Sequence, residues 1–322
     1  MHEDVLVAGD TLVDFHPNEP GSIEEIESYR PKLGGSGANV AIALDRLGFP
    51  PSFWTRLGGD GFADMLAERL AETRIPDEFR VRDPEAKTTL AFVANDPDGE
   101  RRFEFYRTDT ADTRMAVGTV PDGRLDDCDW VHLTGVTLSV EPSRRATMDL
   151  ARRASKRGCT VSLDPNARPE MWTSRTEFER VIRDACQYVD VVKASREDLE
   201  PAGFDHDDPR ELAAAVTEYG PHTAFITLGS AGSLVYGTDE SPFPGTTRHG
   251  GYTVDAVDAT GAGDGFLAAT IASMASGGTD PERVLATGNA AGAVMTTRKG
   301  SVDAIDGPDA VRSLAGELAW DR

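Results

Sequence analysis

Short apolar runs alternate with amphipathic segments along most of the 322-residue chain. Apolar runs of about four to eight residues indicate strands, and apolar residues at helical spacing indicate helices. We predict strands over 4–9, 130–135, 160–164, 188–194 and 223–229, and a helix over 37–48. Strands that are joined through helices pair in parallel, and ligands bind at the edge formed by their carboxyl ends. The pattern therefore predicts an α/β fold with a mostly parallel central sheet flanked by helices.

One segment departs from this alternation. Residues 88–107 contain two β-rich runs on either side of the turn sequence Asp96-Pro97-Asp98-Gly99, which predicts an antiparallel hairpin. The hairpin is either an edge of the main sheet or a flap over a site. Residues 11–17 follow the first predicted strand and can pair with the hairpin, so that the two pieces would make a small β lid.

The chain is strongly acidic: 55 acidic residues stand against 33 basic ones, for a net charge of −22, and the acidic residues are spread along its length. Because no basic cluster could neutralise phosphates, we expect no nucleic-acid partner. A charge of this size repels itself, and salt screens the repulsion over a Debye length of about 3 Å at 1 M. We therefore hypothesise a host with molar cytoplasmic salt; the alternative is an ordinary acidic protein.

The number and spacing of the cysteines, together with the short apolar runs, indicate the cellular compartment in which we expect the protein. Cys128, Cys159 and Cys186 are too widely spaced for a disulfide framework or a CxxC metal pair, which favours a reducing compartment. The first residues, "MHEDVLVAGD", lack the basic segment of a secretion signal, and no run of about 18 apolar residues occurs. We expect a soluble, cytoplasmic protein without a membrane partner.

The stretch "DATGAGDGFLAAT" (258–270) begins a helix with residues that have almost no side chains. A helix N-terminus binds phosphate where the backbone can be approached closely, and Gly261, Ala262 and Gly263 permit that approach. Asp264 would repel a phosphate, unless it acts as the base that deprotonates a phosphoryl acceptor. The same stretch also fits a plain glycine-rich turn with an acid placed for the helix dipole.

A second glycine-rich stretch, "KLGGSGANVAIALDRLG" (32–48), also leads into a helix. Its glycines bring backbone close to a ligand, and Asn39 in the first turn offers an amide for hydroxyl groups. The spacing is not GxGxxG, and GxxxxGK[ST] occurs nowhere in the chain. These absences argue against a nicotinamide oxidoreductase and a P-loop enzyme.

The two stretches together resemble a known family. "GGSGANVAIALDRLG" looks like the N-terminal signature of the ribokinase-like (PfkB) carbohydrate kinases, and "DATGAGDGFLAAT" looks like their C-terminal signature. The resemblance implies a ribokinase-like α/β fold in a single domain over 1–322, with a lid formed by about 11–32 and 86–108. It also implies an ATP-dependent sugar kinase that uses Mg²⁺ and, in the monovalent-cation loop, K⁺.

The resemblance implies a role for residues throughout the chain. Asp264 is similar to the catalytic base and Gly261, Ala262 and Gly263 to the anion hole. The positions that resemble sugar-binding ones are Asp14, Gly34, Gly35 and Asn39. Those that resemble ATP-binding ones are Lys193, Ser195, Thr227, Gly229, Gly232 and Asn289. Asp258 and Thr260 resemble part of the cation loop, which residues 295–301 would complete.

One departure concerns the Mg²⁺ site. The family often carries Asn-x-x-Glu, whose residues hold Mg²⁺ through water, whereas this chain has Ser195 and Asp198 in "KASRED" (193–198). Asp198 is the candidate for the water-mediated contact, and Glu197 beside it is the alternative. A solvated start of a helix is also consistent with this acidic patch.

The acceptor is suggested by "DGERRFEFYR" (98–107) and "LDPNARPEMW" (163–172), which look most like fructokinases. Phe105, Arg107 and Arg168 are therefore candidate substrate-binding residues, and fructose is the first candidate acceptor. The two arginines could instead grip the carboxylate of 2-keto-3-deoxygluconate, but Asp14 in the sugar pocket would repel an acid. Ribose and a nucleoside are further candidate acceptors. A protein of a different class, a non-catalytic sensor of sugar or nucleotide, is a further alternative. Exposed edges of the β lid favour a homodimer.

Overall fold

The computed structural model describes residues 4–19, 21–95, 101–298, 300 and 304–321. Its strands are β1 (Val5–Ala8), β2 (Leu12–Pro17), β3 (Tyr29–Gly34), β4 (Ser52–Leu57), β5 (Arg80–Arg82), β6 (Leu90–Asn95), β7 (Arg101–Tyr106), β8 (Trp130–Thr134), β9 (Thr160–Asp164), β10 (Val191–Ser195), β11 (Thr223–Thr227), β12 (Ser233–Gly237) and β13 (Gly245–His249). Its α-helices are α1 (Ser36–Leu47), α2 (Gly61–Ala71), α3 (Asp122–Asp126), α4 (Ser143–Lys156), α5 (Arg175–Cys186), α6 (Arg196–Leu199), α7 (Pro209–Thr217), α8 (Ala262–Ala275), α9 (Pro281–Met295) and α10 (Pro308–Ala315).

The central sheet has nine strands within the described residues, in the order β13-β12-β11-β10-β9-β8-β1-β4-β5. The seven strands from β11 to β5 pair in parallel, whereas β12 is antiparallel to both of its neighbours. Successive residues of β1 point to opposite faces: Val5 and Val7 join one hydrophobic core, and Leu6 and Ala8 join the other. The predicted α/β fold with a mostly parallel sheet is thus confirmed.

The two cores bury the apolar faces of different helices. One core contains residues of α1, α2, α8, α9 and α10, and the other contains residues of α3, α4, α5, α6 and α7. Both faces of the sheet are therefore covered, as a parallel sheet requires. In the part of the chain that the structure describes, no helix has the length and apolar character needed to span a bilayer.

A separate sheet of four strands has the order β3-β2-β6-β7. Strands β6 and β7 form the predicted antiparallel hairpin, and β2 joins it by pairing in parallel with β6. The hairpin is therefore not an edge of the central sheet. The predicted turn at 96–99 lies outside the described residues. Strand β3 adds an antiparallel partner to β2 that the sequence pattern did not predict.

Candidate active site

A cavity of about 690 Å³ lies at the carboxyl ends of the parallel strands. Asp164, Ser195 and Thr227, the last residues of β9, β10 and β11, line it on the side of the central sheet. Phe103 and Phe105 of β7 line it on the side of the small sheet. The small sheet therefore forms one wall of the cavity, which is the position expected of a lid.

Asp264 is buried in this cavity, with 8% of its surface exposed. Its Oδ1 accepts a hydrogen bond from Ser36 Oγ at 2.8 Å, and its Oδ2 accepts one from Asn39 Nδ2 at 2.8 Å. Burial raises the pKa of Asp264 to about 6, while the positive charge of Lys193 limits the rise. The side chain is thus a fixed carboxylate that can accept a proton near neutral pH.

The start of α8 is built for close approach of a ligand. Gly261 precedes the helix with a left-handed φ of 79°, which favours glycine. A Cβ atom on Gly263 would lie 2.7 Å from Lys193 Nζ, so a larger residue would displace the ammonium group. Amides in the first turn of a helix have no partner inside the helix. This helix start can therefore bind an anion beside the Asp264 carboxylate.

The predicted sugar-binding residues meet at the same end of the cavity. Asp14, Gly35 and Asn39 line it, and a Cβ atom on Gly34 would overlap the Asp14 carboxylate. Gly34 therefore leaves space for the Asp14 side chain. Burial, and secondarily the charge of Asp10, raise the pKa of Asp14 to about 7, whereas Arg168 lowers it.

Phe105 and Arg168 also line the cavity, but Arg107 does not do so within the described residues. The guanidinium group of Arg168 lies over the Phe103 ring, 5.5 Å from its centroid. The buried Arg107 donates to Asp112 Oδ2 at 2.6 Å and to Ser139 Oγ at 2.6 Å. In this conformation Arg107 braces the buried Asp112.

The predicted nucleotide-binding residues fall into two groups. Lys193, Ser195, Thr227 and Gly229 line the cavity, whereas Gly232 and Asn289 are outside its described lining. A Cβ atom on Gly232 would overlap the His249 carbonyl oxygen, so this glycine is required by the turn. Asn289 Nδ2 donates to Ser233 Oγ and to the Leu285 carbonyl oxygen, each at 2.7 Å. Their assignment to ATP stays a prediction.

Asp198 lines the cavity, but much of its carboxylate is already engaged. Its Oδ2 accepts from Ser195 N at 2.9 Å and from Ser195 Oγ at 2.7 Å, and its Oδ1 accepts from Ala167 N at 2.9 Å. Glu197 lines the same wall with an exposed side chain. Mg²⁺ binds through one or two carboxylates, waters and substrate phosphates. Glu197 and Asp198 fit such an outer contact, and Glu197 has the freer oxygens.

Asp258 and Thr260 form a compact turn. Asp258 Oδ1 accepts from Thr260 N at 2.9 Å and from Thr260 Oγ1 at 2.7 Å, and its Oδ2 accepts from Gly300 N at 3.2 Å. His16 Nδ1 of β2 lies 3.8 Å from the same Oδ2. Carboxylate, hydroxyl and carbonyl oxygens are the donors that a hard cation such as K⁺ prefers. These residues therefore fit the predicted cation loop, of which residues 299 and 301 lie outside the described part.

Among the lining residues that were not predicted as site residues, four are polar or aromatic side chains close to the proposed chemistry: Asp10, Ser36, Phe103 and Asp164. Asp10 and Asp164 stand at the carboxyl ends of two predicted strands, where the rule for ligand sites in parallel sheets could have found them. Asp10 is 1% exposed, and its Oδ2 has no hydrogen-bond partner among the described residues. Ser36 lies inside the glycine-rich signature, but its bond to Asp264 depends on tertiary placement.

The sequence and the fold are similar to those of known proteins. The sequence profile of the pfkB family carbohydrate kinases matches residues 2–306. Probable fructokinase-2 of Arabidopsis thaliana is 34% identical over 308 residues, which cover 94% of this chain and 92% of the relative.

Two solved structures extend the comparison. The fructokinase of Xylella fastidiosa with bound ATP superposes with a TM-score of 0.86 and 28% identity, over 98% of this chain and 99% of that one. A fructokinase from Vibrio cholerae with fructose, ADP and a potassium ion bound has a TM-score of 0.82 and 26% identity, over 98% of both chains. From the profile match and the identity over nearly its whole length, the chain belongs to the pfkB family of carbohydrate kinases.

Proposed function

We propose that this chain is an ATP-dependent sugar kinase that transfers the γ-phosphoryl group of ATP to a hydroxyl of fructose. The observation that carries the proposal is the buried Asp264 at the start of α8, held by Ser36 and Asn39 in a cavity that Asp14 also lines. The fructokinase relatives support ATP and fructose as the two substrates.

Asp264 acts as the general base in this proposal. The acceptor hydroxyl attacks the γ-phosphorus, its proton passes to Asp264, and the bond from phosphorus to the bridging oxygen of ADP breaks. The hydrogen bonds from Ser36 and Asn39 hold the carboxylate in one orientation before the substrates arrive. The amides around Gly261, Ala262 and Gly263 form the anion hole that stabilises charge on the phosphoryl group.

Two cations complete the proposed site. Mg²⁺ would be held by the nucleotide phosphates with a water-mediated contact to Asp198 or Glu197, and it would neutralise phosphate charge. K⁺ would occupy the loop of Asp258 and Thr260, where it would order the neighbouring turn into α8. The potassium ion in the Vibrio cholerae fructokinase structure supports this part of the proposal.

The electrostatics of the sugar end favour a neutral acceptor. Asp10 and Asp14 are buried carboxyl groups that line the cavity, and in their ionised forms they would repel an acidic substrate. One observation favours the acid 2-keto-3-deoxygluconate: Arg168 lines the cavity and could bind its carboxylate. Arg107 cannot bind the same carboxylate as a second arginine while it is paired with Asp112. Fructose is therefore the first candidate and the keto-deoxy acid the second.

ADP release in high KCl with Mg²⁺ tests the acceptor directly. Fructose, 2-keto-3-deoxygluconate, ribose, glucose and adenosine are compared at equal concentrations. We expect the highest kcat/KM with fructose. A higher value with another acceptor would contradict the choice of fructose but not the kinase activity. If no acceptor is turned over, a non-catalytic sensing role would be favoured.

We also propose a homodimer through the outer face of the lid. Asp14 faces the cavity, so Phe15 beside it points to the opposite face. There Phe15 stacks on Phe92 at 4.6 Å between centroids, and Tyr106 packs on Phe92 at 5.6 Å while 57% of its surface stays exposed. A second copy would cover this aromatic face. Sedimentation tests it: Tyr106→Glu should shift a dimer towards monomer, and a wild-type monomer would contradict it.

The proposed setting is a cytoplasm with molar salt. The net charge of −22 favours high ionic strength. Cys128, Cys159 and Cys186 are all unpaired and buried, which fits a reducing compartment.

A further inference from the structure

Lys193 is a buried cation at the carboxyl end of β10, with 5% of its surface exposed. Burial by itself lowers the pKa of a lysine, but the neighbouring Asp164 and Asp198 outweigh burial and raise the pKa of Lys193. The side chain is therefore a fixed positive charge at every pH at which the protein would work. A buried charge of this kind is costly unless its surroundings satisfy it.

The surroundings satisfy this ammonium group only in part. It carries three N–H donors, and one of them donates to Asp164 Oδ2 at 2.8 Å. The other oxygen of Asp164 accepts from Asn166 N at 3.0 Å. Across the described residues, Asp164 is the sole hydrogen-bond acceptor that Lys193 Nζ has in this conformation. Two donor positions are thus available to an anion in the cavity, which Lys193 lines.

The ammonium group lies at the start of α8. The 2.7 Å distance from Nζ to the site of a Gly263 Cβ atom places the charge against the first turn of the helix. The same charge acts on Asp264, since Lys193 is the main influence that lowers the pKa of Asp264. The amides of the helix start, the ammonium group and the base therefore surround one small region of the cavity.

We propose that Lys193 is a catalytic residue whose ammonium group binds the transferred phosphoryl group at the start of α8, and that Asp164 is the positioning residue that holds it there. The inference rests on the proposed kinase function and assigns Lys193 to the phosphoryl transfer itself rather than to general ATP affinity. The amides of α8 approach the phosphoryl oxygens from the helix side, and Lys193 approaches them from the sheet side.

In the step itself Lys193 keeps its proton. The acceptor oxygen forms a bond to the γ-phosphorus and loses its proton to Asp264. The bond between phosphorus and the bridging oxygen breaks, and its electron pair leaves with ADP. Charge spreads over the equatorial oxygens during transfer, and a positive charge beside them lowers the barrier. Asp164 keeps the ammonium group protonated and in place before ATP arrives.

Lys193→Met tests the inference, because methionine keeps the length of the side chain without its charge. ADP release is measured with varied ATP and varied sugar on the acceptor that the wild-type protein phosphorylates. We expect kcat to fall about 100- to 1,000-fold, the loss typical of removing one preorganised group that stabilises the transition state. The KM for the sugar should stay within about threefold, because Lys193 is assigned to the phosphoryl group and not to the sugar.

The pH profile provides a second readout. Lys193 lowers the pKa of Asp264, whereas Asp164 raises it, and the nearby Asp14 has a raised pKa of its own. The profile is therefore measured on kcat at saturating sugar, where removing the Lys193 charge should move the acidic limb to higher pH. Asp164→Asn should lower kcat by less than Lys193→Met, because the ammonium group remains but is held less firmly. Lys156→Met makes the same chemical change on an exposed lysine at the end of α4, and it should leave both kcat and the pH profile unchanged.

The outcomes separate clearly. A raised KM for ATP with normal kcat at saturating ATP would overturn the inference, because Lys193 would then serve affinity alone. An unchanged acidic limb together with unchanged kcat would also overturn it. If Lys193→Met fails to fold, the double variant Lys193→Met with Asp164→Asn removes both buried charges and should show the same loss of kcat. If the wild-type protein acts on another sugar, the choice of fructose is wrong but the role of Lys193 can still be tested. If it is inactive on all acceptors, both the proposed kinase function and the role of Lys193 are overturned.

Discussion

Asp264 owes its proposed role to two side chains of α1 that lie more than 200 positions away in the sequence. Ser36 and Asn39 each donate to one carboxylate oxygen, so the N-terminal signature positions the proposed base in the C-terminal one. The sequence predicted Asn39 as a sugar-binding residue, and in the structure its amide donates to Asp264. The sequence can predict which residues stand at a helix start. It could not predict that Ser36 and Asn39 contact Asp264, because that contact depends on how two distant helices pack.

Asp264→Asn tests the base at the residue scale. Asparagine has the shape of aspartate and keeps an acceptor for one of the two hydrogen bonds, but it cannot take the acceptor proton. We expect kcat to fall about 100- to 10,000-fold, the range typical of general base catalysis. Binding of ATP and sugar, measured by calorimetry, should change little. Retained turnover would mean that another group removes the proton.

Asp14 is a buried carboxyl group whose ionisation destabilises the folded state. Its pKa in the folded protein, about 7, is above the ordinary value of 3.8. The folded state therefore binds the proton more tightly than the unfolded state. The destabilisation from ionised Asp14 is absent below about pH 4, grows as the pH rises, and is complete above pH 7.

Asp14→Asn should therefore stabilise the sugar-free protein more at pH 8 than at pH 5. The carboxyl group changes its contribution over about two pH units between pH 5 and its folded-state pKa of about 7, so we expect a difference of about 3 kcal/mol between the two pH values. Urea unfolding of the variant and of the wild type at both pH values measures it, with Asp77→Asn on an exposed residue as the control. A stabilisation that does not depend on pH would contradict the prediction. Sugar binding by the variant should be lost or strongly weakened.

At the scale of elements, strands with short apolar runs could be predicted well. The predicted 160–164 agrees with β9, and 130–135 extends one residue beyond β8. The prediction for β10 starts three residues too early, because the buried Val189, which follows the turn after α5, prolongs the apolar run. Five strands were not predicted: β3, β4, β5, β12 and β13. Of these, β3 and β13 carry polar, partly exposed residues, and β3 contains Pro31.

The start of α8 depends on the absence of side chains. Gly263→Val would place a branched Cβ against Lys193 Nζ, 2.7 Å away, and would obstruct the approach of a phosphate. We expect turnover to fall at least about 100-fold, comparable to the loss of an oxyanion-hole donor, while sugar binding is retained. Gly61→Val is the matched control, because Gly61 begins α2 and a Cβ atom there meets nothing within 4 Å. Normal rates in the Gly263 variant would remove the anion hole from the proposed mechanism.

At the scale of the whole molecule, charge is the dominant feature. Arginine supplies 28 of the 33 basic residues, and many arginines contact more than one acid. Arg153 contacts Asp122 and Asp149 at 2.8 and 2.7 Å, and Arg157 contacts Asp126 at 3.0 Å. Exposed ion pairs contribute at most about 1 kcal/mol each. They cannot offset the mutual repulsion of the acidic residues that remain in excess.

Salt should therefore stabilise the fold, although it weakens each exposed ion pair. Raising the ionic strength from 0.1 M to 2 M shortens the Debye length from about 10 Å to below about 3 Å, which removes most of the repulsion. We expect the melting temperature to rise by about 5 °C or more in 2 M KCl, equivalent to about 2 kcal/mol. NaCl at the same ionic strength is the control, since screening does not distinguish the two cations. Equal stability at 0.1 M and 2 M would refute the proposed salt-rich setting, and stabilisation by KCl alone would instead indicate binding at the loop of Asp258.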